Sequence, residues 1–183
     1  MAITKSLSRG EFIALVAALF ATIALSIDAM LPALPQIAAQ LSPDAPNRAQ
    51  LVITSFVFGM GLGTLFTGPL SDSFGRKPVI IAGSVLYILS SIAAYFSQSL
   101  EWLLIARVFM GVGAAGPRTA ATALVRDLFQ GRAMAEVMSF VMMVFMLVPA
   151  VAPLMGQAVM AVADWKAIFL VYILFCLVTT LWL

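Results

Sequence analysis

Polar residues are so sparse along this chain that long apolar runs, rather than any alternation, mark out its elements. Six runs reach the roughly 20 residues that a helix needs to cross a bilayer: about Phe12–Pro32, Gln50–Leu70, Pro78–Ser97, Trp102–Ala123, Val137–Met160 and Trp165–Leu183. Asp28 interrupts the first, and Arg107 and Arg118 interrupt the fourth. Backbone groups in lipid have no water to bond, so open-chain spans of this length predict helices and an all-α, six-helix transmembrane bundle. The first run follows Lys5 and Arg9 as a signal peptide would, but it exceeds the roughly 7–15 apolar residues of a signal core and reads as a retained helix. Helix signals punctuate the joints. Asn47 after Pro46 is expected to cap the second span, Ser99 with Glu101 to start the fourth and Asp164 to cap the sixth, while Pro78 suits a first turn. The breaks Leu41–Arg48 and Arg126–Glu136 are too short to separate domains, so residues 1–183 read as one transmembrane domain.

Composition narrows the function classes. Charged residues make up 10% of the chain and hydrophobic ones 63%, with a mean hydropathy of +1.09. A soluble domain carries about 25% charged residues, so this composition argues against a soluble enzyme, and against a nucleic-acid binder despite a pI near 9.0. The chain has no His and one Cys, which removes His-based catalysis, a His or Cys metal site and an internal disulfide. Cys176, inside the apolar run Ile173–Val178, is expected to be a buried small hydrophobe. No pair of acids and no nucleophile–base pair clusters in the loops, so no enzymatic activity is expected. Charge placement sets the orientation. With the N-terminus in the cytoplasm, Lys5, Arg9, Arg76, Lys77, Arg126 and Arg132 fall inside and Arg48 and Lys166 outside, a clear positive-inside bias that places both termini in the cytoplasm.

Glycines cluster in two spans, Gly59, Gly61 and Gly63 in the second and Gly111, Gly113 and Gly116 in the fourth, and predict close helix–helix packing. The turn between spans two and three reads Gly68-x-Leu70-x-Asp72-x-x-Gly75-Arg76-Lys77, with Gly75 suited to a tight reversal and Asp72 within reach of the basic pair. Every fixed position of that turn resembles the signature between helices two and three of the major facilitator superfamily. Asp28-Ala-Met-Leu-Pro32-Ala-Leu-Pro35 is similar to the first-helix element of its drug:proton antiporters, and Arg107-x-x-x-Gly111-x-Gly113-Ala-Ala to the family's fourth-helix motif. Arg126-Asp127-Leu128-Phe129 resembles the Bcr/CflA drug-resistance branch. Span five departs from the antiporter pattern G-x-x-x-G-P-x-x-G-G, reading Pro149-Ala-Val-Ala-Pro153-Leu-Met-Gly156-Gln157; Pro149 and Pro153 share a face and are expected to kink the helix.

The resemblance covers essentially the whole chain and implies the N-terminal half of a twelve-helix transporter, built from two inverted three-helix repeats. It implies proton-coupled efflux of small amphiphilic drugs or metabolites across the inner membrane, by alternating access. The proton gradient would be the energy source, with no bound cofactor and no metal. The implied partners are the bilayer, protons, a small-molecule substrate and a C-terminal six-helix half. A metabolite symporter of the same fold and a non-transporting truncated subunit are the alternatives. It further implies that Asp28 and Arg107 couple protons and that Asp72, Arg76 and Asp127 clamp the inner ends of helices two, three and four.

The residues themselves leave other readings open. Asp28 lies about 24 Å along helix one, and Arg107 about 8 Å from the outer end of helix four, both in the outer third of a ~30 Å core. Asp28 also suits a helix-end cap, and Arg107 a side chain snorkelling to the interface. Arg118 fits either the central cavity or the basic loop. The methionines of span five, Met142 and Met146 among them, suit a substrate cavity that takes varied apolar shapes, and equally suit simple filler. Tyr87, Tyr95, Trp102 and Trp165 fit an interfacial aromatic belt. The orientation is testable with reporter fusions: a fusion at Gln130 should report the cytoplasm and one at Asp44 the outside, and the opposite pair of signals would invert the topology.

Overall fold

The computed structural model describes residues 8–183, so Lys5 lies outside the described residues. Among those residues every regular element is helical: α1 (Arg9–Asp28), α2 (Leu34–Leu41), α3 (Leu51–Phe74), α4 (Arg76–Tyr95), α5 (Leu100–Leu128), α6 (Gly131–Val162) and α7 (Ala167–Trp182), with 3-10 turns at Leu31–Ala33 and Pro46–Gln50. Among the described residues five helical stretches are long and apolar enough to cross a membrane, the first being α1 with α2 over Arg9–Leu41; α7 is apolar but has 16 residues.

Local chemistry sets the element ends. Ser8 and Glu11 form a reciprocal capping box at the start of α1. The first span then breaks at Asp28, because Pro32 has no N–H to offer the Asp28 carbonyl and Pro35 none for Leu31; each proline instead occupies a first-turn position of the next helical segment. Ser99 caps α5 as expected, its hydroxyl accepting from the Trp102 N–H at 3.3 Å. Asn47 does not cap α3: it lies within the Pro46–Gln50 turn, which feeds the helix directly. The Asp164 carboxylate accepts from the Trp165 N–H at 2.8 Å, one turn ahead of α7. α6 remains one helix of 32 residues through Pro149 and Pro153.

Packing follows a two-fold exchange of the first three spans with the last three. α3 packs on α5, and its counterpart α6 packs on α1; α4 packs on α5, and its counterpart α7 packs on α1; α4 and α7 pack on each other. Consecutive spans alternate direction, so units related in this way are inverted repeats.

Glycines set the close approaches. A Cβ on Gly59 would overlap the Val108 carbonyl of α5, and one on Gly111 the Phe56 carbonyl and Met60 nitrogen of α3. Gly113 faces the other way, where a Cβ would lie 2.6 Å from the Tyr87 nitrogen of α4, and a Cβ on Gly83 of α4 would lie 2.7 Å from Pro117 Cδ of α5. α5 is thus wedged between two helices at backbone contact. Exposure divides the spans: 72% of the apolar window of span one is buried inside the bundle, against 28% for α3 and 17% for α6. α3 and α6 therefore turn broad apolar faces outward, including Leu65 and Phe66 on one and Met146 and Leu154 on the other.

Gly111→Leu should destabilise the protein by about 2 kcal/mol or more by forcing α3 off α5. Gly61→Leu, into open space, should shift stability by no more than about 0.5 kcal/mol. Thermal unfolding in detergent checks the pair, and equal melting temperatures would refute the packing account.

Candidate functional site

Two polar constellations interrupt the apolar bundle, one where α1 ends and one at the turn between α3 and α4. At the first, the chain passes over the Ser26 carbonyl: the Ala29 N–H goes to Leu25 at 3.1 Å and the Met30 N–H to Ile27 at 3.3 Å. Such end-of-helix carbonyls need partners, and in an apolar interior water does not provide them. Arg107 of α5 supplies one. Its Nη2 donates to the Ser26 carbonyl at 2.9 Å and its Nε to the Val52 carbonyl of α3 at 3.0 Å. The guanidinium also stands 4.6 Å from the centre of the Phe56 ring, and Arg107 is fully buried. A cation at the C-terminal end of α1 is where the helix dipole favours one. Its Nη1 has no hydrogen-bond partner among the described residues.

Tyrosines complete this network. Tyr172 of α7 donates to the same Ser26 carbonyl at 3.3 Å. The Ser26 hydroxyl bonds the Thr22 carbonyl at 2.6 Å and the Tyr87 hydroxyl of α4 at 2.5 Å. Tyr87 is therefore not part of an interfacial belt; it lies at the centre of the bundle because its hydroxyl has a partner there. Trp165 departs from the belt too, being buried with its indole N–H on the Gln40 side chain at 2.7 Å. Trp102 is exposed, as a belt residue should be.

Asp28 is the last residue of α1 and is half-buried. Among the described residues it belongs to none of the ion pairs within 4.0 Å. Arg107 thus stands near the same helix end but bonds the Ser26 carbonyl there, and the Val52 carbonyl of α3, rather than the Asp28 carboxylate. Gly156 of α6 is the third predicted residue brought here, since a Cβ on it would overlap the Ala29 carbonyl and reach Pro32 at 3.0 Å.

The second constellation assembles the loop motif. Gly75, at φ +91°, makes a reversal that side chains rarely adopt. It delivers Arg76 between Asp72 at the end of α3 and Asp127 at the end of α5: Nη1 donates to Asp72 at 2.5 Å and to the Ser71 hydroxyl at 2.9 Å, and Nε to Asp127 at 2.9 Å. Helix dipoles disfavour a cation at the start of α4 and an anion at the end of α5, and pairing the two relieves both. Lys77 points away and bonds the Leu183 carbonyl at 3.3 Å. Gly68 leaves open space beside α3.

Arg118 is exposed and lines an open cavity of about 460 Å³ that also takes in Gly68, Asp72, Arg76, Thr122 and Arg126. The cavity adjoins the loop motif, so its chemistry is basic. Met142 and Met146 do not line it; they lie on the outward face of α6, Met146 at 75% exposure. This chain by itself does not join Arg118 and the two methionines in one cavity.

Known proteins bear on these features together. Residues 14–183 match the model of the Major Facilitator Superfamily, and the chain belongs to that family of transporters. It is 39% identical over 145 residues to the bicyclomycin resistance protein homolog of Haemophilus influenzae, covering 79% of this chain and 36% of that protein. It is 39% identical to the multidrug resistance protein MdtL of Shewanella oneidensis over 78% of the chain and 36% of the relative. A chloramphenicol resistance protein of Pseudomonas aeruginosa is 35% identical over 79% of the chain and 35% of its own length. The chain thus spans little more than a third of these relatives. A crystal structure of a D-xylose–proton symporter superposes with a TM-score of 0.75 at 15% identity, over 95% of this chain and 47% of that one, which shows a shared fold.

Arg76 is the hub of the loop network, so Arg76→Gln, which strands two acids, should destabilise the protein by about 1–2 kcal/mol. Asp72→Asn leaves the Asp127 bond in place and should cost less than about 1 kcal/mol. Denaturation of the two variants in detergent tests the order, and a larger loss for Asp72→Asn would move the hub elsewhere.

Proposed function

We propose that this chain works as the N-terminal half of a multi-pass inner-membrane transporter that exports small amphiphilic compounds in exchange for protons. A second six-helix half completes it, and the two rock against each other around a central site. The N-terminus lies in the cytoplasm, so the Arg76 network clamps the cytoplasmic ends of α3, α4 and α5 in the outward-open state. The relatives named for resistance to bicyclomycin and chloramphenicol support the substrate class.

One observation carries the coupling role: Asp28 ends a broken helix inside an apolar span with no cation paired to it among the described residues, beside an arginine already held by backbone carbonyls. An ionised residue in a membrane span is expensive unless paired or hydrated, so a carboxyl there is suited to take up and release a proton. Arg107 fixes the helix end and sets the positive field in which Asp28 works. The outward faces of α3 and α6, with Met142, Met146 and the groove at Arg118, form the wall of a substrate cavity that the second half closes. Flexible thioethers suit ligands of varied shape. Substrate and proton then compete for one state of the site, as exchange requires.

The test uses the full-length transporter in proteoliposomes with an imposed proton gradient. Asp28→Asn should reduce proton-driven efflux by about 100-fold or more, since one general acid–base group carries about that much. Wild-type efflux of a neutral compound by Asp28→Asn, with its proton flux intact, would remove Asp28 as the coupling acid.

A further inference from the structure

The coupling reading leaves two buried phenols unused, and both converge on Ser26, two residues before Asp28. The Ser26 hydroxyl has one proton and sits 2.6 Å from the Thr22 carbonyl, so in the 2.5 Å contact the Tyr87 hydroxyl is the donor. Tyr87 therefore fixes the side chain of Ser26. Tyr172 fixes its backbone. It donates to the carbonyl that Arg107 also holds, and a carbonyl oxygen has two lone pairs, so both donors fit at once. Arg107 keeps a buried Nη1 with no partner among the described residues, so the Ser26 carbonyl is its one tie to α1 there and the oxygen it shares with Tyr172.

We infer that Tyr172 is a positioning residue for the proton site: by sharing the Ser26 carbonyl with Arg107, it sets how α1 ends and how Asp28 is presented, and ties that setting to α7. The inference rests on Asp28 being the proton-carrying group. The titratable groups around this helix end are Arg107 from α5, Tyr87 from α4, and Tyr172 and Cys176 from α7, with Cys Sγ 3.8 Å from the Ser84 carbonyl. α3 brings Phe56 and the Val52 carbonyl, and α6 brings Gly156; the charges of α6, Arg132 and Glu136, lie in its first turns at the other end of the bundle. Tyr172 is thus the titratable side chain that reaches the α1 backbone from α7. A movement of α7 during rocking reaches Asp28 through one hydrogen bond.

The experiment follows ethidium efflux by the full-length transporter in proteoliposomes, at a fixed imposed gradient and varied pH. Tyr172→Phe should shift the pH midpoint by about half a unit or more and lower kcat several-fold, with KM for ethidium within about twofold and the melting temperature retained. Tyr87→Phe, which loosens the same residue from α4, should shift the midpoint in the same direction by less. Tyr95→Phe, elsewhere on α4, should keep the wild-type profile. A wild-type pH profile in Tyr172→Phe, with Asp28→Asn inactive, would overturn the positioning role and leave the coupling acid standing. Proton-coupled efflux surviving in Asp28→Asn would instead remove the reading beneath it. If Tyr172→Phe is not recovered folded, the Tyr87→Phe profile decides, and an unshifted midpoint there overturns the proposal.

Discussion

A helix that stops inside an apolar medium leaves carbonyls that water cannot reach, and the rest of this bundle is arranged around one such stop. α1 ends at Asp28 because Pro32 and Pro35 follow, and the Ser26 carbonyl is left for side chains to satisfy. Meeting that requirement brings a guanidinium from α5 and a phenol from α7 to one oxygen, with a second phenol from α4 on the neighbouring hydroxyl. Three helices are thereby registered against the end of a fourth by hydrogen bonds, which unlike dispersion contacts permit no sliding.

The glycines serve the same end. Arg107 reaches both the α1 terminus and the Val52 carbonyl of α3 because Gly59 and Gly111 let α3 and α5 touch backbone to backbone one turn away. Gly156 performs the equivalent service between α6 and the segment after Asp28. The two-fold exchange of packing partners means that each three-span unit contributes its first helix to the other's contacts. Neither unit buries its own apolar faces alone.

Much of this was legible in the sequence. Hydropathy marks the spans because lipid demands long apolar helices whatever their neighbours, and the loop motif was readable because Asp72, Gly75 and Arg76 are close in the chain and a glycine turn joins them. The reach of Arg76 to Asp127 followed from resemblance, not spacing. The role of the tyrosines was not legible. Tyr87 and Tyr172 lie 61 and 146 residues from Ser26, and a phenol in an apolar span looks the same whether it meets lipid headgroups or a buried polar group. The signal that could have found them was Tyr87 near the middle of its span, since a phenol that deep needs a partner. The interruption of span one was hidden because a Pro-x-x-Pro pair reads equally as a first turn or a kink.

The partners of Ser26 also impose an order on the making of this protein. Arg107 enters 81 residues after Ser26 and Tyr172 a further 65, at 146. Until the fourth span has been synthesised, the end of the first has no guanidinium to hold it, and until the sixth, no phenol. A nascent first span must therefore wait near water or the insertion machinery with its last carbonyls unsealed. The sixth span is then more than one more crossing: its arrival completes the hydrogen bonding of the first.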